Sequence, residues 1–241
     1  EAMYQGMQVA ELWESACVVE HSEQRLVDIK QSYGLEGVTL QDCVASSDVV
    51  FFCVKPQQID GILDQCKDVA PQDKMWVSIL AGTPISVFEN ANADMAVCRV
   101  MPNTPALVGE GMLAWVANSA VTDTQKKWLS DIFSACGESM EFAEESAMDV
   151  VTGISGSGPA FLYQLADAIA SEGVAQGLDY DQALGLISQT MIGAGLMMQA
   201  SERSPKELIS DVSSPNGTTV AGLTKMSDTS ITEDIKAVVR A

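Results

Sequence analysis

The hydroxyl-rich run at residues 211–219, DVSSPNGTT, has the residue types to hold an anion. Ser213, Ser214, Thr218 and Thr219 set hydroxyls around Pro215, Asn216 and Gly217, a turn-forming trio that leads into a helical pattern. A tight turn with free amides and hydroxyls at a helix entry suits a carboxylate. No strong base or nucleophile accompanies it. His21 is the single histidine and is remote in sequence, so no Ser-His-Asp set can be assembled. From residue chemistry alone, a Ser/Thr-rich helix cap is the simpler reading of this run.

A second set of candidates follows the apolar runs. In doubly wound folds, ligands bind beyond the carboxyl ends of the strands. That rule selects Glu20, His21 and Ser22, then Cys53, Val54, Lys55 and Pro56, then Ala81 and Gly82, then residues 101–105. An acid ending the second strand bonds the adenosine ribose of a dinucleotide. Glu20 holds that position if a strand and a glycine loop precede residue 1; GxGxxG itself does not occur in the sequence. An ordinary strand-end carboxylate is the competing reading. Lys55 either faces a pyrophosphate or nicotinamide ribose, or is a solvated loop lysine. Asn103 is constrained by Pro102 and Pro105, which suits a carboxamide contact and equally a rigid turn.

Strands are predicted at 16–19, 38–40, 48–54, 75–80, 95–101, 112–116 and 139–142. Helices are predicted at 1–13 (with Met3, Met7, Ala10 and Trp13 inward), 22–33, 57–67, 85–90 and 123–136. The run DVVFFCV at 48–54 is apolar throughout, as a parallel strand covered on both faces requires. This alternation predicts an α/β fold with a mainly parallel, doubly wound sheet. At 150–177 the pattern changes. A turn-rich stretch, with Gly153, Ser155, Gly156 and Ser157, precedes Pro159, and Ser157 is expected to cap the helix that follows. From there every segment reads as helix: 159–176, 180–200, 205–211, 218–227 and 232–240. Gly193, Ala194 and Gly195 form a small-residue notch on the longest of these. A helical half so small and apolar predicts packing against a partner subunit.

The 241 residues carry 13 basic and 33 acidic side chains, a formal charge of -20. That balance disfavours nucleic acid and anionic membrane as partners. The six cysteines form no CxxC pair, and Cys17, Cys53 and Cys98 sit in apolar runs, so buried thiols in a cytoplasmic protein and no metal site are expected. Ser188, Gln189 and Thr190 interrupt the most apolar helix and make it a poor membrane span. No signal peptide is visible.

Read in order, several motifs resemble one family. They are Val54-Lys55-Pro56-Gln57, Ala81-Gly82, the run RVMPNTP at 99–105, TGISGSGPA at 152–160 and VSSPNGTT at 212–219. Together, and over the whole chain, they resemble pyrroline-5-carboxylate reductase. The resemblance implies a Rossmann-type dinucleotide-binding domain at 1–146 and an all-α substrate-binding and dimerisation domain at 147–241. It implies reduction of 1-pyrroline-5-carboxylate to L-proline by NADPH or NADH, in a homodimer formed through the helical domain or a larger homo-oligomer built from it. Cofactor contacts are implied at Cys53, Val54, Lys55, Ile79 and Ala81, beside the candidates Glu20, His21, Ser22 and Asn103. Substrate contacts are implied at Glu145, Ser214, Thr218 and Thr219, with Thr219 the catalytic candidate nearest the ring nitrogen. The glycine-serine turn would floor that site and Ser214 to Thr219 would roof it.

Departures from the family pattern are Asn216 for a usual glycine, Ile209-Ser210 for Lys-Asp, and Leu40 for an asparagine near the adenosine. The family's first strand and glycine loop are expected upstream of Glu1. Glu20 repels a 2′-phosphate and tilts the expectation toward NADH. Two other readings compete. A related 3-hydroxy acid dehydrogenase needs a lysine on the helix after the hinge, and residues 159–176 contain none. A non-catalytic Rossmann-like dimerisation module needs no cofactor at all.

Overall fold

The computed structural model describes residues 2–9, 15–67 and 74–241, and divides into two compact units, Glu1–Gly156 and Ser157–Ala241. In the first unit the order is α1 (Ala2–Val9), β1 (Cys17–Val18), α2 (Glu23–Tyr33), β2 (Glu36–Gly37), α3 (Leu40–Ser46), β3 (Val49–Phe52), α4 (Ile59–Cys66), β4 (Met75–Ser78), α5 (Ile85–Ala91), β5 (Ala96–Met101), β6 (Gly111–Ala117), α6 (Asp123–Ser134), β7 (Gly137–Glu141) and α7 (Ala147–Val151). Short 3-10 turns follow β3 and β5. Of the N-terminal helix predicted to Trp13, Ala10 and Trp13 lie outside the described residues. Met3 and Met7 pack inward.

Strands β3 to β7 form one sheet in sequence order, and β1 pairs with β2 in a separate parallel pair. All pairs are parallel except β5 with β6. Only residues 102–110 join those two strands, and a parallel crossover needs roughly a dozen or more. Alternate residues of β4 to β6 point to opposite faces, so the sheet is covered twice. Val50, Phe52, Trp76, Val97 and Met101 pack with α3, α4, α5 and α7 through Val44, Leu63, Phe88 and Met148. Val77, Cys98, Val100, Leu113 and Trp115 pack with α6 and α1 through Leu129, Ile132, Phe133 and Met7. Every residue of β4 and β5 is buried, as the run of apolar residues requires of a central strand. This is a Rossmann-type, mainly parallel sheet between helical layers.

Three local expectations need correction. The strand expected at 38–40 is displaced to Glu36–Gly37, because the Thr39 hydroxyl accepts from the Asp42 amide at 3.1 Å and starts α3. Cys17 is half-buried and Cys53 exposed, since β1 is only two residues long and Cys53 lies just past the end of β3. The turn-rich stretch at 152–156 is a π-helical turn continuing α7. Ser157 keeps right-handed helical backbone after it, so its side chain makes no cap bond.

The second unit contains α8 (Gly158–Ala175), α9 (Tyr180–Ala200), α10 (Pro205–Asp211), α11 (Thr218–Ser227) and α12 (Ile231–Arg240). Gly177, at φ +101°, turns the chain between α8 and α9, and the Asp179 carboxylate accepts from the Asp181 amide at 2.9 Å to start α9. Among the described residues of these helices, only Ala166, Ala170 and Ala183 are buried. Leu162, Tyr163, Leu186, Ile192, Leu196 and Met197 are all more than half exposed. Helices apolar on all sides need further burial.

Gly137 tests the sheet. Its φ is +139°, and a Cβ there would lie 2.1 Å from the Gly111 carbonyl oxygen where β7 meets β6. Gly137→Ala should destabilise the protein by about 3 kcal/mol, read from the urea midpoint; a change under about 0.5 kcal/mol would contradict this packing.

Candidate functional site

Parallel strands bring their carboxyl ends to one edge, and ligands of such sheets bind beyond those ends. Past β1, Glu20 Oε1 accepts from the amides of His21 and Ser22 at 2.7 and 3.0 Å, and Oε2 lies 3.5 Å from Arg25 Nε. The Ser22 amide foremost, then the His21 amide and Arg25, hold the Glu20 carboxyl below the usual carboxylate range. Ser22 caps α2, its hydroxyl accepting from the Arg25 amide. His21 is exposed.

Past β3 come Cys53, Val54 and Lys55. The Lys55 amide donates to Gln58 Oε1 at 3.2 Å, while the exposed Lys55 ammonium has no carboxylate partner among the described residues. Burial pushes the Cys53 thiol up although the residue keeps an exposed edge; Cys43 is pushed up to about 11 by burial and by the Cys17 thiol. Both thiols therefore stay protonated at neutral pH. Ile79 donates its amide to the Phe52 carbonyl at 3.2 Å, which binds the end of β4 to the end of β3. Ala81 is exposed beside Gly82, whose φ of +66° turns the chain toward α5.

Asn103 is engaged at both ends of its carboxamide. Its oxygen accepts from the Met112 amide at 3.0 Å, and its nitrogen donates to the Ser155 carbonyl at 3.2 Å. It thereby ties the loop after β5 to the π-helical turn.

Glu145 is similarly committed. Oε1 accepts from the Ile85 amide at 2.8 Å and from Arg99 Nη1 at 2.9 Å. Pro84 gives α5 no side-chain cap, so Glu145 supplies one from 60 residues away. Arg99 was not singled out from the sequence beyond its place in RVMPNTP; a lone arginine inside the apolar strand run AVCRVM was the available signal. Its side chain is 5% exposed, with Nη2 3.6 Å from Asp149. Breaking a buried pair leaves a charge uncompensated.

In the second unit, Ser214 to Gly217 close a turn through the Gly217 amide and the Ser214 carbonyl at 3.0 Å. Pro215 precedes Asn216 at φ +60°, the type II arrangement, and Asn216 is the only described non-glycine residue with positive φ. A Cβ on Gly217 would meet Ser214 Oγ at 2.6 Å, so glycine permits the close approach. Gly217 also opens α11 without a side-chain cap, leaving the first-turn amides of Thr218, Thr219 and Val220 without intrahelical acceptors. Ser213 donates its hydroxyl back to the Ile209 carbonyl at 2.6 Å. The hydroxyls of Ser214, Thr218 and Thr219 have no hydrogen-bond partner among the described residues. Upstream, Arg203 grips Asp211 at the end of α10 with its two terminal guanidinium nitrogens, Nη1 and Nη2. The turn is thus a fixed cradle of amides and hydroxyls suited to a carboxylate.

Two family models match the chain. Residues 145–241 match pyrroline-5-carboxylate reductase dimerisation, and residues 1–82 match NADP oxidoreductase coenzyme F420-dependent. The pyrroline-5-carboxylate reductase of Arabidopsis thaliana is 37% identical over 208 residues, covering 86% of this chain and 75% of that protein. That of Corynebacterium melassecola is 36% identical over 237 residues, covering 96% and 87%. Among solved structures, the Plasmodium falciparum pyrroline carboxylate reductase with NADP bound is 28% identical with a TM-score of 0.87, covering 99% of this chain and 89% of that one. The Coxiella burnetii pyrroline-5-carboxylate reductase is 26% identical with a TM-score of 0.88, covering 100% and 92%.

Glu145→Ala strands the buried Arg99 charge and uncaps α5, and should cost about 3 kcal/mol of stability. Denaturant unfolding checks this, and a loss under about 1 kcal/mol would reduce the pair to a surface ion pair.

Proposed function

The chain belongs to the pyrroline-5-carboxylate reductase family, and from that premise we propose how its residues carry out reduction of 1-pyrroline-5-carboxylate to L-proline with NAD(P)H. The observation that carries this reading is the anion cradle at Ser214–Thr219, where orphan amides and three unengaged hydroxyls surround an uncapped helix start. A small carboxylate fits that donor set. Ser214 and Thr218 hold the substrate carboxylate. The Thr219 hydroxyl meets the ring nitrogen, where it orients the imine and passes a proton as the carbon across the C=N bond is reduced. Within the first unit, Glu145 Oε1 stays fixed on Arg99 and Ile85, which leaves Oε2 as the oxygen it can offer to a ligand.

The groups at the strand ends fit a dinucleotide: a carboxylate for the ribose diol and an ammonium for phosphate. Glu20, His21 and Ser22 receive the adenosine ribose. Cys53, Val54 and Lys55 line the middle, and Ile79 and Ala81 lie along the nicotinamide half. Asn103 holds the loop beside them in shape. When bound, NAD(P)H supplies the hydride; the protein's part is to orient the imine carbon toward it and to exclude water.

We place the functional boundary at 146/147, near the start of the dimerisation match. By length and composition α9 is also capable of crossing a bilayer, with little of it buried. Its lying inside the dimerisation match supports a second subunit as the cover for α8 and α9, giving a homodimer on which a larger homo-oligomer is built. The free thiols of Cys17, Cys43, Cys53, Cys66 and Cys98 support a cytoplasmic setting.

The test is oxidation of NADH or NADPH by the full chain with 1-pyrroline-5-carboxylate, and no turnover with either would refute the reading. Thr219→Ala should lower kcat/KM by about 10- to 100-fold, the worth of one hydrogen bond to a charged group, at unchanged Tm. An unchanged rate removes Thr219 from the site.

A further inference from the structure

The strand-end cofactor site, which rests on that reading, is acidic where the adenosine ribose would sit. Residues 17–46 carry five acidic side chains, Glu20, Glu23, Asp28, Glu36 and Asp42, against two basic ones, Arg25 and Lys30. Both cations are already paired: Arg25 with Glu20 at 3.5 Å, and Lys30 with Glu36 at 2.8 Å. The nearby hydroxyls are engaged as well. Thr39 Oγ1 donates to Asp42 at 2.7 Å, and Ser22 Oγ accepts from the Arg25 amide.

A 2′-phosphate needs a free arginine or lysine and several donors. Here it would meet a carboxylate fixed in place by two backbone amides, with no uncommitted cation on β1, α2, β2 or α3. A ribose 2′-hydroxyl, by contrast, donates to Glu20 Oε2, which still has lone pairs available beside Arg25. We propose that Glu20 makes this chain discriminate against the 2′-phosphate, so that it binds NADH in preference to NADPH. This sets it apart from the NADP-bound Plasmodium falciparum structure to which it is similar. Arg25 is the latent counter-charge: while Glu20 is present it serves the carboxylate, and without Glu20 it becomes available to a phosphate.

The inference rests on the cofactor site described above, so its test reads binding rather than turnover. The full chain is titrated separately with NADH and with NADPH, by isothermal calorimetry or by energy transfer from tryptophan to nicotinamide. NADH should bind at least about tenfold tighter at low salt. The ratio should narrow as ionic strength rises toward about 0.5 M, because like-charge repulsion is screened and packing is not. Glu20→Gln, which removes the charge and keeps the size, should bring the ratio to within about threefold of unity or reverse it; the further change Arg25→Ala should cancel any reversal. Lys55→Ala should weaken both dinucleotides equally, since the pyrophosphate is common to them. Tighter NADPH binding by the unaltered chain, or a ratio that Glu20→Gln leaves unchanged, would overturn the inference and leave the reductase reading standing. Binding of neither dinucleotide would remove both.

Discussion

A guanidinium keeps its charge when buried and is costly inside a sheet without a carboxylate, and Arg99 takes Glu145 as its own. Much of the first unit follows from that one pair. The same carboxylate oxygen that receives Arg99 also caps α5, the helix entered from the Ile79–Ala81 loop. The segment leading into α7 is therefore fixed to the middle of β5 and to the start of α5 at once. Asn103 adds a second tie, between the β5–β6 loop and the π-helical turn that ends the unit. A π-helical turn is an irregular backbone that needs such outside support. The loops proposed to line the cofactor are thus held by side chains that do not touch it.

The second unit follows a different constraint. Its two long helices are apolar around most of their circumference, yet they bury little beyond small alanines against each other. The remaining apolar surface far exceeds what an isolated helix pair in water sustains. The same unit carries the Ser214–Thr219 cradle, whose shape comes from local chemistry: Pro215 and Asn216 set the turn, Gly217 allows the close approach, and Arg203 anchors Asp211 just before it. The apolar helices and the proposed carboxylate cradle thereby share one short stretch of chain.

What was legible in the sequence was whatever depends on near neighbours. The apolar run through Val49–Phe52, the helix start at Ser22, and the five C-terminal helices all rest on residues a few positions apart, and the structure has them close to the predicted bounds. The Ser214–Thr219 stretch announced itself by composition. Other features depended on distant partners. Nothing near Glu145 says that it caps a helix 60 residues upstream, and nothing near Arg99 names its carboxylate. Glycines and serines at 153–157 suggest a turn by local preference, yet the backbone stays helical, with Thr152 donating to the Met148 carbonyl and Ser155 bound by Asn103. At Thr39 the error was of the opposite kind: a local cap outweighed a short β-branched pattern.

The most direct measurement follows the hydride itself. The full chain is supplied with 1-pyrroline-5-carboxylate and NADH deuterated on one face of the nicotinamide C4, and the product is read by NMR and mass spectrometry. If the site holds the imine by its carboxylate with the ring nitrogen at Thr219, L-proline forms with one deuterium, placed stereospecifically on the ring carbon across the nitrogen from the carboxylate-bearing carbon, when the label is on the transferred face. The opposite label then yields unlabelled proline. Deuterium at the carboxylate-bearing carbon, a scrambled mixture of faces, or no proline with either label would contradict it.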